Sequence, residues 1–316
     1  MTGPVLASFG GSVGVPMANG LVNGCLWGLL AIGIVLVYKA NGIFNFAQGE
    51  FGSMAALIAV SAVDGLGPFP KLPMPIAMIL GLIAGVGCGV LTERFVVRPL
   101  FRSPRATLLV ATAGVALFLA SFQALCTGTD LSHVFPALGG SHHFSLFGST
   151  SDPNAYVYGW TQITRILVLM AVAILAVVFF RTRYGLGILA VSQDPVAANT
   201  VGINVKRISM LTWGLAGLLG AAAGLIDVPG GPYQPGLVSG ILTGVGPLVF
   251  AFIGAVLGGM TSLPGAFVGS LALGLIDSFA GRYMPASVPG GEALIVFGVL
   301  LVVLLFRPTG LLGRET

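Results

Sequence analysis

Two apolar runs, Ile166 to Phe180 and Ile208 to Ile226, contain no charged residue, and between them lies a polar segment with basic ends, Arg181 to Arg207. Each run reads as a membrane span. Hydrocarbon offers no water to backbone N–H and C=O groups, so only helices and closed barrels cross it. A helix needs about 20 apolar residues for a core of roughly 30 Å. The rest of the chain repeats the pattern: of 316 residues 56% are hydrophobic and 8% charged, with a mean hydropathy of +1.00. A water-soluble fold cannot hide that much apolar surface. The expected class is all-α, a polytopic helical membrane protein of about 8 to 10 transmembrane helices with some broken or re-entrant segments. It is expected to form one membrane domain over residues 1–316, with a cytoplasmic segment at 181–207. Spans are expected at about 18–38, 45–63, 73–92, 106–126, 163–180, 208–227, 240–258, 264–280 and 292–306.

Charge sets the orientation. Arg94, Arg98, Arg102 and Arg105 lie between the third and fourth spans; Arg181, Arg183, Lys206 and Arg207 lie between the fifth and sixth. Short loops rich in Lys and Arg stay in the cytoplasm. Counting from them puts the C-terminal RPTGLLGRET inside and the N-terminus outside. The first 38 residues hold no Lys or Arg, so no cleaved secretory signal is expected. The net charge of +4 is explained by this topology, and nucleic acid is not an expected partner. The stretch from Thr127 to Trp160 has no Lys or Arg and reads as an outer loop carrying His133, His142 and His143. Only Asp130 and Asp152 accompany the histidines, at irregular spacing, so a solvated loop is expected and no metal site. Cys25, Cys88 and Cys126 fall in separate spans without a CxxC, which implies neither a disulfide framework nor a redox motif.

Glycine recurs every four residues at Gly20, Gly24 and Gly28, at Gly81, Gly85 and Gly89, and in the pairs Gly220/Gly224, Gly254/Gly258 and Gly265/Gly269. Such stripes let helices approach closely. Packing within the chain is the expected use of most, with a share facing a second membrane subunit. No charge occurs between Val228 and Ile276, a region punctuated by Pro229, Pro232, Pro235, Pro247 and Pro264. Proline removes a backbone donor and clashes with the preceding turn. Broken helices in a membrane occur where protein buries them or where they line a watery cavity, which points to transport. Asp227 and Glu292 are expected at span boundaries beside Pro229 and Gly290. Glu50 follows Asn41, Asn45 and Gln48 in NGIFNFAQGE, a polar run between two apolar segments. With Asn19 and Asn23 on the first span and Asp277 on the eighth, these residues form the expected translocation path. Such groups in a membrane face protein or water.

The stretch NGLVNGCLWGLLAIGIVLVYKANGIFNFAQGEF resembles the opening of the LivH-type permeases, membrane subunits of ABC importers of branched-chain amino acids and related small polar solutes. In that family a Leu-Ala-x-Gly first span leads into Asn-Phe-Ala-His-Gly-Glu; here Leu30, Ala31 and Gly33 lead to Asn45 through Glu50. The 181–207 segment, the Ala251 to Gly269 run and the terminal RPTGLLG are similar to the family in the same order. Gln48 stands where His is frequent, Leu189 where Arg is common, Phe250 where Lys is common and Asp277 where Glu is usual. These departures bear on the solute and leave the architecture intact.

The resemblance implies a cytoplasmic docking helix for an ATPase. Ser192 or Asp194 would cap it, following Gln193; Pro195 would occupy the first turn, Ala197 and Ala198 would be small apolar contacts alongside Val196 and Val201, and Gly202 would end it. It further implies two ABC ATPase subunits, a second, non-identical permease and an extracytoplasmic solute-binding protein docking near 229–240 and 281–291, all at a bacterial inner membrane. Membrane lipid is the remaining partner. Lys39, Lys71 and Lys206 lack the glycine of GxxxxGK[ST], so the chain is expected to be no enzyme and to bind no cofactor itself, ATP and Mg being held by partners. The alternative is an ion-coupled secondary transporter using Glu50 or Asp277. An intramembrane enzyme is disfavoured, since HExxH and GxSxG are absent.

Overall fold

A computed structural model describes residues 13–67, 69–127, 143–147, 156–179, 181–228, 231–242, 246–284, 288 and 290–313. Among these described residues lie eleven α-helices, in chain order. They are α1 Val15–Asn41, α2 Gln48–Asp64, α3 Met74–Thr92, α4 Arg105–Thr127, α5 Trp160–Phe179, α6 Arg183–Gln193, α7 Pro195–Thr200, α8 Val205–Asp227, α9 Pro247–Gly258, α10 Leu263–Tyr283 and α11 Gly291–Phe306. A π-helical turn, Glu93–Val97, extends α3. There Arg98 closes a two-pronged ion pair on Glu93, with Nη2 at 2.8 Å from Oε2 and Nε at 3.2 Å from Oε1. The expected loop at 127–160 contains a short antiparallel hairpin, β1 His143–Phe147 with β2 Tyr156–Gly159, pairing His143 with Gly159. Of the histidines, His143 opens β1, while His133 and His142 lie outside the described residues.

Among the described residues five helical stretches are long and apolar enough to cross a membrane: Val15–Asn41, Met74–Val97, Arg105–Thr127, Val205–Asp227 and Leu263–Tyr283. Helices α2, α9 and α11, with 17, 12 and 16 residues, are shorter. At 1.5 Å per residue α9 rises only about 18 Å, well below a core of roughly 30 Å. Within the expected span at 240–258 the described helix begins at Pro247. Pro247 sits in the first turn of α9, and Gly240, with φ +76°, turns the chain before it.

Burial separates a centre from a shell. The apolar windows of α1 and α8 are 89% and 78% buried, against 22% for α3 with its π-turn, 33% for α4 and 39% for α10. Helix α2, buried along nearly its whole length, completes the centre. Its small side chains, Gly52, Ser53, Ala55, Ala56 and Ala59, allow neighbours on every side.

The glycine stripes do the joining, and each named stripe finds its partner inside this chain. Helices α1 and α10 run together so closely that a methyl group added at Gly24 would lie 2.8 Å from the Leu271 Cα, and one at Gly20 would lie 2.7 Å from the Leu275 Cα. Gly81, Gly85 and Gly89 of α3 meet α8 at Leu225, Ala221 and Trp213; Gly220 and Gly224 of α8 meet α2 at Gln48 and Gly52. Gly254 and Gly258 of α9 face Ser270 and Gly265 of α10. The share expected to face a second subunit is thus taken by intramolecular contacts, each trading side chain for backbone dispersion contact.

Candidate translocation and coupling site

The turn joining α1 to α2 carries most of the expected path residues. Gly42, at φ +68°, ends α1, and the Asn45 side chain folds back to accept a hydrogen bond from Ala47 N at 3.0 Å. Asn45 Nδ2 donates to Gln48 Oε1 at 3.1 Å, and Gln48 Nε2 donates to the Ala216 carbonyl of α8 at 2.7 Å. Gln48 has no exposed surface and lies against Gly33 of α1. It ties α1, α2 and α8 at one point.

Two residues further, Glu50 is equally buried. Its carboxylate accepts from Gln123 Nε2 of α4 at 2.6 Å and from the Ser239 hydroxyl. Gln123 Oε1 accepts from Tyr233 Oη at 2.8 Å and from Gly236 N at 3.1 Å. Ser53, three residues along α2, accepts at its hydroxyl from Val238 N at 3.0 Å. Residues 231–242 are thereby folded into the protein, with Tyr233, Val238 and Ser239 buried. The outer docking loop expected at 229–240 is, over its described part, a re-entrant segment. Its backbone N–H groups have no regular ladder: side chains of α4 and α2 satisfy Gly236 N and Val238 N, and turn carbonyls satisfy Leu237 N and Gly240 N, as buried groups require.

The remaining path residues fall at the two ends. Asn41 donates to Ser209 Oγ at 3.1 Å and lines a cavity of about 1460 Å³ bounded by the ends of α1 and α6 and the starts of α4 and α10. Lys39 and Arg105 line it too, the former donating to the Thr261 carbonyl at 3.0 Å. At the opposite end, the antiparallel register of Gly20 on Leu275 and Gly24 on Leu271 sets Asp277 level with Asn19, with Asn23 one turn deeper. Asp227 ends α8 and Glu292 lies in the first turn of α11, both at helix boundaries as expected. The residues expected on the path therefore fall into three groups: Asn19, Asn23 and Asp277 at one end, the buried Asn45, Gln48 and Glu50 in the middle, and Asn41 at the cavity of the other end. Sequence reasoning missed Gln123, Tyr233 and Ser239. Gln123 was the findable one, a lone amide in the apolar run of α4.

The expected coupling segment 181–207 holds two helices, and the docking helix is the second. Helix α6 ends at Gln193, and the Ser192 hydroxyl donates to the Leu189 carbonyl at 2.7 Å, so Ser192 is not a cap. Asp194 is: its Oδ1 accepts from Val196 N and Ala197 N at 2.8 and 3.0 Å, starting α7 at Pro195. Gly202, at φ +88°, turns the chain out of α7 in the left-handed conformation expected of it. Ala198 is buried in a cluster with Leu36, Ile188, Val191 and Ile208. Ala197 is exposed, and Val196 and Val201 are 74% and 76% exposed. Apolar side chains are thus held outward on a capped, anchored turn.

A family described as "Branched-chain amino acid transport system / permease component" matches residues 17–305. The chain belongs to this permease family. It is 36% identical over 307 residues to the high-affinity branched-chain amino acid transport system permease protein BraD of Pseudomonas aeruginosa, covering 94% of this chain and 95% of that one. It is 30% identical over 304 residues to the corresponding LivH protein of Salmonella typhimurium, covering 94% of each. Among solved structures, PsaBC from Streptococcus pneumoniae in complex with Fab matches with a TM-score of 0.52 at 14% identity, over 92% of this chain and 91% of that one, a likeness of fold. The LivH-type resemblance carried by the Asn45–Glu50 block and the terminal RPTGLLG is borne out. The permease is a multi-pass membrane protein and a transport subunit of an ABC system. Two departures from the family pattern have structural uses here: Phe250 stacks on Trp27 of α1 with ring centroids 4.4 Å apart, and Gln48 fills both its donor and acceptor roles.

Proposed function

We propose that this permease forms half of the membrane channel of an ABC importer that carries branched-chain amino acids, or a related small amide or urea-type solute, into the cytoplasm. The names of BraD and LivH, at full-length coverage, support the solute class. ATP and Mg are held by two partner ATPases, and this chain does no chemistry. A second permease subunit and an extracytoplasmic binding protein complete the assembly at a bacterial inner membrane, with the N-terminus outside and the C-terminus inside. The solute path follows α1: it enters beside Asn19, Asn23 and Asp277, passes the Asn45–Gln48–Glu50 seal when that opens, and leaves through the cavity at Asn41. Ser192 to Gly202, with Ala197 at the contact, transmits ATPase closure to α1 and α8 through Ala198 and its cluster.

The observation that carries the coupling role is the outward display of Val196, Ala197 and Val201 on a turn whose opposite side, Ala198, is packed against the membrane helices. A charge placed at Ala197 meets the partner and not the core. Ala197→Arg is therefore expected to abolish ATP-driven uptake in proteoliposomes containing the whole transporter, with permease insertion unchanged. Normal uptake by that variant excludes the interface. Uptake on an ion gradient with no ATPase present excludes the importer reading itself.

A further inference from the structure

Helix α5 stands away from α3 and leaves a groove of about 430 Å³ whose floor is α8. Leu169 and Ala173 of α5 are buried, while Val168, Val172, Leu175 and Phe179, a single stripe at helical spacing, face the groove. Leu82 of α3 forms the opposite wall, Leu219 and Ala222 lie on the floor, and every lining residue is Leu, Ile, Val, Ala, Met or Phe. Val168 and Leu175 stay exposed there, and water gains nothing against them.

The dimensions identify an occupant. From Val168 to Phe179 the helix rises about 16 Å, close to half of a hydrocarbon core of roughly 30 Å, which is the depth of one leaflet. A membrane helix from another subunit would need the full depth. The groove ends at Phe179, and just beyond it come Arg181 and Arg183, both exposed, with exposed Lys206 and Arg207 at the start of α8. Asp194 is the single acidic residue between Arg181 and Arg207. We infer that the groove holds the acyl chain of an anionic phospholipid, whose phosphate sits against Arg181 and Arg183. An apolar slot one leaflet deep, capped by cations at headgroup level, matches the two halves of such a lipid. The lipid fills the space between α5 and α8 and so anchors α5 beside the coupling segment. Which leaflet supplies it follows the orientation proposed above; occupancy of the groove does not depend on that orientation or on the solute.

The test is lipid retention by the intact transporter, read by native mass spectrometry after purification from nanodiscs of dioleoylphosphatidylglycerol or dioleoylphosphatidylcholine. Wild type is expected to retain phosphatidylglycerol in preference to phosphatidylcholine. Each guanidinium at headgroup level contributes about fivefold to that preference, so Arg181→Gln with Arg183→Gln is expected to lower it by about 30-fold. Val172→Trp fills the slot and is expected to remove the bound lipid; Ala222→Met narrows it from the floor and serves if the tryptophan variant fails to assemble. Undiminished phosphatidylglycerol in an assembled slot-filling variant overturns the inference. So does equal retention of the two lipids by wild type, or disulfide capture of a Val172→Cys variant by another membrane chain. None of these readouts requires transport, so a failed importer reading leaves them interpretable.

Discussion

Gln48 and Glu50 show how a buried polar residue in a membrane fold is held by what it bonds. Replacing Gln48 with Leu keeps the size but leaves Asn45 Nδ2 without its acceptor and removes the tie to Ala216. An unsatisfied buried donor costs about 1–3 kcal/mol, so Gln48→Leu is expected to lower the thermal unfolding midpoint in detergent by a corresponding amount and to impair transport. Gln48→His, which supplies one donor and one acceptor, should recover part of both; a Leu variant as stable as wild type would show that the tie is idle. Glu50→Ala removes the acceptor for both Ser239 and Gln123. Hydrogen exchange across residues 231–242 should then rise, because the re-entrant segment loses a central bond. Unchanged exchange there counts against the seal. The sequence marked Gln48 and Glu50, since a polar run between apolar segments stands out locally. Their partners were less visible: Gln123 lies 73 positions from Glu50 and Ser239 lies 189. Pairings at such separation depend on how helices cross, which no local pattern records.

At the scale of elements, close approach replaces side-chain interlocking. A branched residue at Gly24 must displace the backbone of α10, since even a Cβ would come within 3.0 Å of the Ser270 carbonyl. Overpacking typically costs about 1–3 kcal/mol. Gly24→Val is expected to fall at or above the upper end, seen as a lower unfolding midpoint and loss of correctly assembled transporter, whereas Gly87→Val, where an added Cβ meets nothing within 4 Å, should be tolerated. Equal effects at the two positions would remove the packing argument. The period-four spacing of the stripes was plain in the sequence, yet which helix each would meet was not: Gly20 and Gly274 have no sequence feature that pairs them. The break before α9 was legible for a stronger reason. Proline and glycine act on the backbone of their own residue and its neighbours, so Gly240 and Pro247 bring the boundary with them. Helix α7 was legible likewise through Asp194, but the division from α6 was not, because Gly185 and Gly187 are poor helix formers and mask the helix at 183–193. The helix forms by packing Ile188 and Val191 onto α1 and α8.

For the whole molecule, one arrangement decides between the proposed readings: the face that carries 181–207 must be the one an ATPase can reach. Lys39 bonded to the Thr261 carbonyl, the C-terminal Leu311 and Leu312 bonded to α9 at 2.8 and 3.0 Å, and the cavity beside Ser192 and Gln193 all gather at this same end. If basic loops stay in the cytoplasm, all of them share that side. The three cysteines are free, and two of them, Cys25 and Cys88, are at least partly buried, so they can be replaced by serine to give a background for site labelling. A Val196→Cys variant in that background places a thiol on the exposed side of α7. With a membrane-impermeant maleimide, labelling is expected only after the cells are permeabilised, and the ATPase subunits should protect the thiol in the purified complex. Labelling from outside in intact cells would reverse the orientation and detach α7 from any nucleotide-driven partner. Labelling after permeabilisation without protection by the ATPases would keep the orientation and remove the docking role. The two outcomes separate the topology, which rests on charge, from the coupling, which rests on the shape of one capped turn.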